Sequence, residues 1–427
     1  MTGKASLFLI LGFGAIFTFY GLQIINSKRS IYDNYAFYFN KSQANYYAIS
    51  GIHIALANIN KVNSNWTPSG PLTIGNAKIY LTITNPAFGI KQIKSVSEFN
   101  GINDTIITLV KQKSFSEYGN FYQQFNNVWA ATADTFDGDF HTNDFVQCYG
   151  NPVFLGKVTT AKGIKLYDNK SFPEFHQGWK LESADQVQFD TTFMRISAYS
   201  NGKVFSDTTT QNRVTEVRLN FQNNGTVDYS WRIGTGSWSP QINTSISSLA
   251  PNGLIFVQKG NIYVQGTLNG QLSIVATHLG ASNAGIVYIE NSIRYADNPL
   301  HNPNSDDFLG IVAQRRAEIT FNNSRGDIDI QAAIFSEGGG ITVNNYANYS
   351  AAYKMNIFGS VIGLKVEPTA TYQWNNSLKR YVPVKGYSYI QKYDKRFDLQ
   401  APPYFPKLKI FSIASWYQGQ VIIPQFE

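Results

Sequence analysis

The longest unbroken apolar stretch of the chain lies near its first residue. Residues 5–27, ASLFLILGFGAIFTFYGLQIINS, contain no charged side chain and are bounded by Lys4 on one side and by Lys28 and Arg29 on the other. As an α-helix this segment is about 34 Å long, against about 30 Å for the hydrocarbon core of a bilayer. No small-x-small cleavage site follows the run, which ends in Gln23, Asn26 and Ser27, so a retained membrane span is expected rather than a cleaved signal. Gly12, Gly14, Ala15 and Gly21 in this span would let a neighbouring helix approach closely.

Past the span the apolar positions turn periodic. Ile31, Tyr35, Tyr38, Ala44, Ala48, Ile52, Ala55 and Ile59 recur at helical spacing, with no proline and only Gly51 as glycine between Lys28 and Asn60. The pattern predicts an amphipathic helix over 28–62 that continues the span, a rod of roughly 80 Å in all. Period-2 alternation follows. Residues 71–84 (PLTIGNAKIYLTIT), 90–99 (IKQIKSVSEF) and 104–110 (DTIITLV) read as strands separated by Asn-Pro and Asn-Gly turns, a meander over 63–119. One face of AKIYLTIT is apolar, and the preceding helix is its nearest partner.

Ala48, Ser50, Gly51 and Ala55, followed by the SVSEFNGINDTIITLV run, resemble the type IV filament pilins and pseudopilins, the minor-pilin branch above all. That resemblance covers roughly the first 112 residues. It implies a membrane helix that bundles with other pilin-like subunits and a small sheet seated on its outer half. The chain departs from the family pattern at one informative place. If a leader were cut after Gly3, the fifth mature position would be Phe8 in place of the usual glutamate, which argues for a minor or tip subunit over a bulk one.

From about residue 120 the pattern changes to short strand-like runs, among them PVFLGKVTT (152–160), NIYVQGTL (261–268), AGIVYI (284–289), DIDIQAAIF (327–335) and NIFGSVIGL (356–364). Their centres fall roughly ten residues apart, as in turn-separated all-β architecture. Several are apolar at successive positions, which stacked solenoid coils tolerate. The expectation is a mostly β, α+β protein: the helix and meander, then an irregular right-handed parallel β-solenoid over 120–427 with an antiparallel insertion at about 182–250. No amphipathic helix is predicted after residue 120. Phe140-His141-Thr142-Asn143, the GNIYVQGTLNGQLSIV run at 260–275, and Pro402, Pro403, Phe405 and Pro406 resemble bacterial envelope domains that follow pilin-like N-termini, a resemblance that implies architecture and location only.

Composition narrows the chemistry. The net charge of +7 is spread with no run of four basic residues, which argues against nucleic acid as a partner. One cysteine, Cys148, excludes an internal disulfide, and the five scattered histidines form no HExxH pair. Asp134, Asp137, Asp139 and Asp144, in ADTFDGDFHTND with His141 among them, offer oxygen ligands for calcium, although the spacing is not that of an EF-hand. The alternative is a solvated turn. Asp137 and Asp139 would serve a polysaccharide hydrolase only if both pointed the same way, and a lyase would want a nearer base than Lys157. Trp231, Trp238, Trp374 and Trp416 lie among Gly, Ser and Asn and are candidates for stacking on glycans or cell surfaces. Together these readings favour a non-enzymatic, single-pass bacterial inner-membrane protein with its N-terminus cytoplasmic and its bulk periplasmic, or extracellular if assembled into a filament. A tethered polysaccharide-acting enzyme and a self-polymerising envelope scaffold stand as alternatives.

Overall fold

The computed structural model of the protein describes residues 2–62, 64–87, 89–125, 128–184 and 191–418. It is α+β and mostly β, with one long apolar helix at the N-terminal end, and divides into two units: Met1–Lys113 with Lys409–Glu427, and Ser114–Leu408. The expected domain over 120–427 is thus corrected at its end, since the last strand, Lys407–Gln418, joins the sheet of the first unit beside Ile102–Ser114.

In the first unit the helix Thr2–Lys61 is 60 residues long, about 90 Å at the α-helical rise. Its sheet is an antiparallel meander of Leu72–Ile74, Ala77–Ala87, Ile90–Phe99 and Ile102–Ser114, completed by Lys407–Gln418. Asn100 (φ 48°) and Gly101 (φ 78°) make the two-residue turn that the Asn-Gly pair predicts, both in the left-handed region that such hairpins require. Ala44, Ala48, Ile52, Ala55 and Ile59 are buried against Ile79, Leu81, Ile93, Ile106, Val110 and Phe411. The first part of the predicted amphipathic face is not covered: Ile31, Tyr35 and Tyr38 are 65%, 71% and 67% exposed, and the buried apolar contact with the sheet begins at Ala44.

Polar bonds fix this seating. Ser97 Oγ donates to the Ala44 carbonyl at 2.5 Å, and Asn45 Nδ2 to Asp104 Oδ2 at 2.8 Å. At the other end Asn60 grips the returning strand reciprocally, its Nδ2 donating to the Phe411 carbonyl (3.0 Å) and its Oδ1 accepting from the Phe411 N–H (2.8 Å). Between these points Gly51 allows close contact, because a Cβ there would lie 2.3 Å from Ser95 Oγ and 2.7 Å from Ile79 Cγ2.

The second unit is built on parallel ladders. In one of them Lys203–Phe205, Leu254–Val257, Gln271–Ala276, Phe308–Ala313, Ile328–Ser336 and Ala352–Lys365 pair in succession. The ladder then continues through Asn120–Gln124, Phe140–Thr142, Val158–Thr160 and Trp179–Leu181. Spatial order therefore departs from chain order. The chain enters at the middle of the stack, runs to one end at Leu181, passes through 182–202 to the other end at Lys203, and returns to the middle at Lys365. The return carries the helix Thr191–Asn201, which the sequence pattern did not predict. Its Met194 and Ala198 pack on Leu254 and Phe256, and Asn252 Nδ2 donates to the Ser197 carbonyl at 2.8 Å.

Equivalent side chains stack from strand to strand. Val217, Ile262, Val287, Ala317 and Ile341 are in register in a second ladder, and Leu219, Val264, Ile289, Ile319 and Val343 run beside them. The expected antiparallel insertion reduces to two strands, Thr226–Ile233 and Ile242–Ser245, while Thr215–Phe221 itself belongs to the parallel stack. Strands such as Phe308–Ala313 are buried on both faces. Their inner face fills the stack, and their outer face is covered by Thr191–Asn201 and the segment around Phe397, Phe405 and Leu408. Unit entry and exit lie side by side, with the Phe115 N–H donating to the Pro406 carbonyl at 3.1 Å.

The two runs of chain meet at a seam, and there the aliphatic rows stop. Ile255, Ile274, Ile311, Ile334 and Val361 succeed one another, and the next residue in that row is Asn120. Across the interior Ile293, Ile330 and Ile357 are followed by Gln391, on the strand Arg380–Lys392 that bridges the two halves. Asn120 Nδ2 donates to Gln391 Oε1 (2.7 Å), which also accepts from the Asp137 N–H (2.8 Å). Gln391 Nε2 donates to the carbonyls of Gly359 (2.8 Å) and Gly119 (3.2 Å), and the Tyr389 hydroxyl to Asn120 Oδ1 (2.7 Å). Both amides are buried, and the network satisfies them.

Two outcomes follow. Gly51→Ala, a change that stabilises an open helix by about 1 kcal/mol, here lowers the melting temperature of the detergent-solubilised full chain; a rise would show that helix and sheet are not in contact at Gly51. Gln391→Leu costs on the order of 3 kcal/mol by leaving several buried groups unpaired, and Asn120→Leu/Gln391→Leu costs less than the sum of the single changes. Urea midpoints measure this, and strictly additive losses would mean that the amides do not act as a unit.

Candidate functional site

Beside the seam lies a cavity of about 370 Å³ in the second unit. Its walls are rings: Tyr122, Phe125, Trp129, Phe136, Tyr149, Tyr346, Tyr372 and Tyr389, with Ile341, Val366 and Pro368 between them. The stack rows account for several of these. Tyr389 follows Ile328 and Met355 in an interior row, and Phe136 is sandwiched between Phe154 (4.8 Å, centroid to centroid) and Tyr389 (5.1 Å). Trp129 stands edge-on to Tyr167 at 5.3 Å.

Two carboxylates reach this aromatic enclosure. Glu367 pairs with Lys365 at 3.0 Å. Asp134 has no cationic partner in its hydrogen-bond set: Oδ2 accepts from the Ala131 N–H (2.7 Å), and Oδ1 from the Tyr372 hydroxyl (3.0 Å) and the Tyr389 N–H (3.1 Å). Burial pushes the Asp134 carboxyl up to about 6, against the pull of those three donors. The hydroxyls of Tyr122, Tyr372 and Tyr389 around it are held above the ordinary phenol range, chiefly by burial, with the Asp134 charge adding to it.

The four carboxylates proposed as calcium ligands do not converge. Asp134 faces the cavity. Asp137 accepts from the N–H groups of Gly138 (2.8 Å) and Tyr393 (3.0 Å), Asp139 is exposed, and Asp144 pairs with Lys162 at 2.9 Å while accepting from the Phe125 N–H. Among the described residues no group of three or more His, Cys, Asp or Glu is placed to hold a metal ion. The physical reason is the path of the backbone: residues 134–144 run through two short strands and the turn between them, so successive carboxylates leave in different directions. His141, in the same stretch, is buried between Thr159 Oγ1 (2.7 Å) and Asn143 Oδ1 (3.1 Å), and burial lowers its pKa. Burial likewise pushes the Cys148 thiol up to about 12.

The four tryptophans singled out by sequence are all partly buried. Trp231 packs on the core beside Tyr229 and Phe205, and Trp238 lies under the guanidinium groups of Arg218 (4.1 Å) and Arg232 (4.7 Å). Trp374 carries Lys170 over its ring at 4.8 Å, and Trp416 packs against the core of the first unit. The exposed aromatics of the second unit are others, among them Tyr167, Phe172 and Trp179. Trp129, which lines the cavity, had no signal of its own, because nothing local distinguishes it from its neighbours. In the helix, Gly12, Gly14 and Gly21 have nothing within 4 Å of where a Cβ would stand, and Gly12, Gly14 and Ala15 are exposed.

Asp134 makes a pH prediction. Its folded-state pKa lies above the ordinary value of about 3.9, so its contribution to stability is full below about pH 4 and is lost as pH rises through about 6. Relative to Asp134→Asn, the full chain in detergent loses about 2 kcal/mol between pH 4 and 7, by urea midpoints. A difference that stays flat across that window would place the carboxyl in solvent.

No family model and no curated protein matches the sequence. Among solved structures, the crystal structure of the competence-associated pilin ComZ from Thermus thermophilus is similar at a TM-score of 0.32 and 12% identity, over 89% of this chain and 97% of that one. A likeness of that degree assigns neither role nor partners.

Proposed function

We propose that the chain is a non-enzymatic, membrane-anchored, pilin-like protein. It acts as a minor or tip subunit of a type IV-like filament or secretion pseudopilus, and presents a right-handed β-solenoid for interaction with other surfaces. The observation that carries this reading is the division of one helix into two environments. From Leu7 to Ile25 its large apolar side chains are exposed, at 59% and 62% for those two residues, in a segment long and apolar enough to cross a membrane. From Ala44 to Ile59 the same helix is clasped by an antiparallel sheet. A helix that is apolar all round needs lipid or other helices over its free part.

Exposed Ile31, Tyr32, Tyr35 and Tyr38 extend the uncovered apolar surface past Lys28 and Arg29, which favours packing among neighbouring pilin-like helices once the chain leaves the bilayer. The stacked rows of the second unit support the solenoid reading, and exposed Tyr167, Phe172 and Trp179 offer it contact surface toward glycans or cell surfaces. The dispersal of the Asp134–Asp144 carboxylates favours display over catalysis. In this reading the N-terminus is cytoplasmic and the bulk lies in the periplasm, or outside the cell after assembly.

The test is co-purification. Gly12→Leu with Gly14→Leu keeps the full chain in the membrane fraction after alkaline carbonate washing but cuts its recovery with filament components at least tenfold. Undiminished recovery would remove helix bundling from the proposal, and release of the unaltered chain by carbonate would remove the anchor as well.

A further inference from the structure

The cavity at the seam carries more specific chemistry than a gap between coils. Eight rings face it, and the only ionisable side chains among its described lining residues besides tyrosines are Asp134 and Glu367; no lysine, arginine or histidine lines it, in a chain whose net charge is +7. Two of the ring hydroxyls are already engaged within the wall. The Tyr372 hydroxyl donates to Asp134 and the Tyr389 hydroxyl to Asn120, so these rings offer faces and edges in place of free hydroxyls. A sugar needs several free donors and acceptors, whereas a positive, alkylated nitrogen needs ring faces and a nearby negative charge. Asp134 supplies that charge without a competing cation, and Oδ2 makes one hydrogen bond where a carboxylate oxygen accommodates two. The volume, about 370 Å³, lies in the range of small-molecule sites.

We propose that this cavity is a binding site for a substituted ammonium group, held among its lining rings, Tyr372 and Trp129 included, and by the carboxylate of Asp134; one side of Trp129 already carries Lys165 at 5.4 Å, a contact of the same kind. The site is independent of whether the chain enters a filament. A free alkylammonium and the headgroup of a choline lipid share this chemistry.

The experiment is calorimetric titration of the full chain, in a non-ionic polyoxyethylene detergent, with choline chloride, with 3,3-dimethylbutan-1-ol as the uncharged isostere, with glucose, and with potassium chloride for ionic strength. Choline binds at least tenfold more tightly than the isostere and glucose, and quenches or shifts tryptophan fluorescence through Trp129. Asp134→Asn and Trp129→Leu each weaken choline at least fivefold. Equal binding of choline and its isostere overturns the proposal, as does tighter binding of glucose or no choline binding at all; these comparisons use the unaltered chain and hold even if a variant fails to fold. Competition by phosphatidylcholine vesicles, and not by phosphatidylglycerol vesicles, assigns the group to a lipid headgroup; binding without such competition assigns it to a free amine. Either result supports the site.

Discussion

The architecture of the second unit depends on a buried amide pair. A stack of parallel strands made by an unbroken chain aligns like with like, because each coil follows its predecessor. Here the stack is assembled from two runs of chain, 120–181 and 203–365, joined by a strand from a third place in the sequence. Aliphatic rows alone would let these pieces slide, since one buried Ile fits over another almost anywhere. Asn120 and Gln391 interrupt the rows at the junction, and only one register lets each reach its partners. Buried polar groups used in this way fix register at some cost in stability.

Insertion of this stack into the chain of the first unit follows the same economy. Its entry and exit are adjacent at Phe115 and Pro406, so the sheet strands Ile102–Ser114 and Lys407–Gln418 can be neighbours although almost three hundred residues separate them in sequence. Asn60 then recognises the backbone of the last strand from the helix side. An amide that both donates to and accepts from one residue's main chain reads position, not side-chain identity, which suits a strand whose partner is so distant in sequence.

Local pattern made the helix, the meander and the Asn100-Gly101 turn legible, because each is decided by residues a few positions apart. Ala44, Ala48, Ile52, Ala55 and Ile59 are the buried face the spacing predicts, while Ile31, Tyr35 and Tyr38 satisfy the same spacing and stay exposed. Periodicity shows which face can be covered, and the extent of the sheet decides which part is. The runs apolar at successive positions were legible as short strands of a stacked β architecture. Their spatial order was not, nor was the destination of KLKIFSIASWYQ, whose alternation fits any sheet edge. The helix Thr191–Asn201 escaped notice because its sequence, TTFMRISAYSN, carries little apolar periodicity; among its described side chains Met194 and Ala198 are the buried ones.

The cavity was legible only as fragments. Asp134 stood out within a cluster that the backbone then separates, and Tyr372 and Tyr389 lie more than two hundred residues away in sequence. Their meeting follows from the seam: where strands from unrelated parts of the chain abut, rows cannot be completed by repetition, and the space left over is lined by whatever each strand brings. A continuous stack would fill that space with aliphatic side chains and gain stability. This one keeps an enclosure of rings around a carboxylate whose burial disfavours its charge. Such an arrangement is weakest when empty and ionised, and any guest that neutralises Asp134 while filling the space stabilises the seam itself. Occupancy of the cavity and integrity of the junction between the two halves of the stack are therefore linked by the same residues, Tyr389 above all, since its N–H binds Asp134 and its hydroxyl binds Asn120.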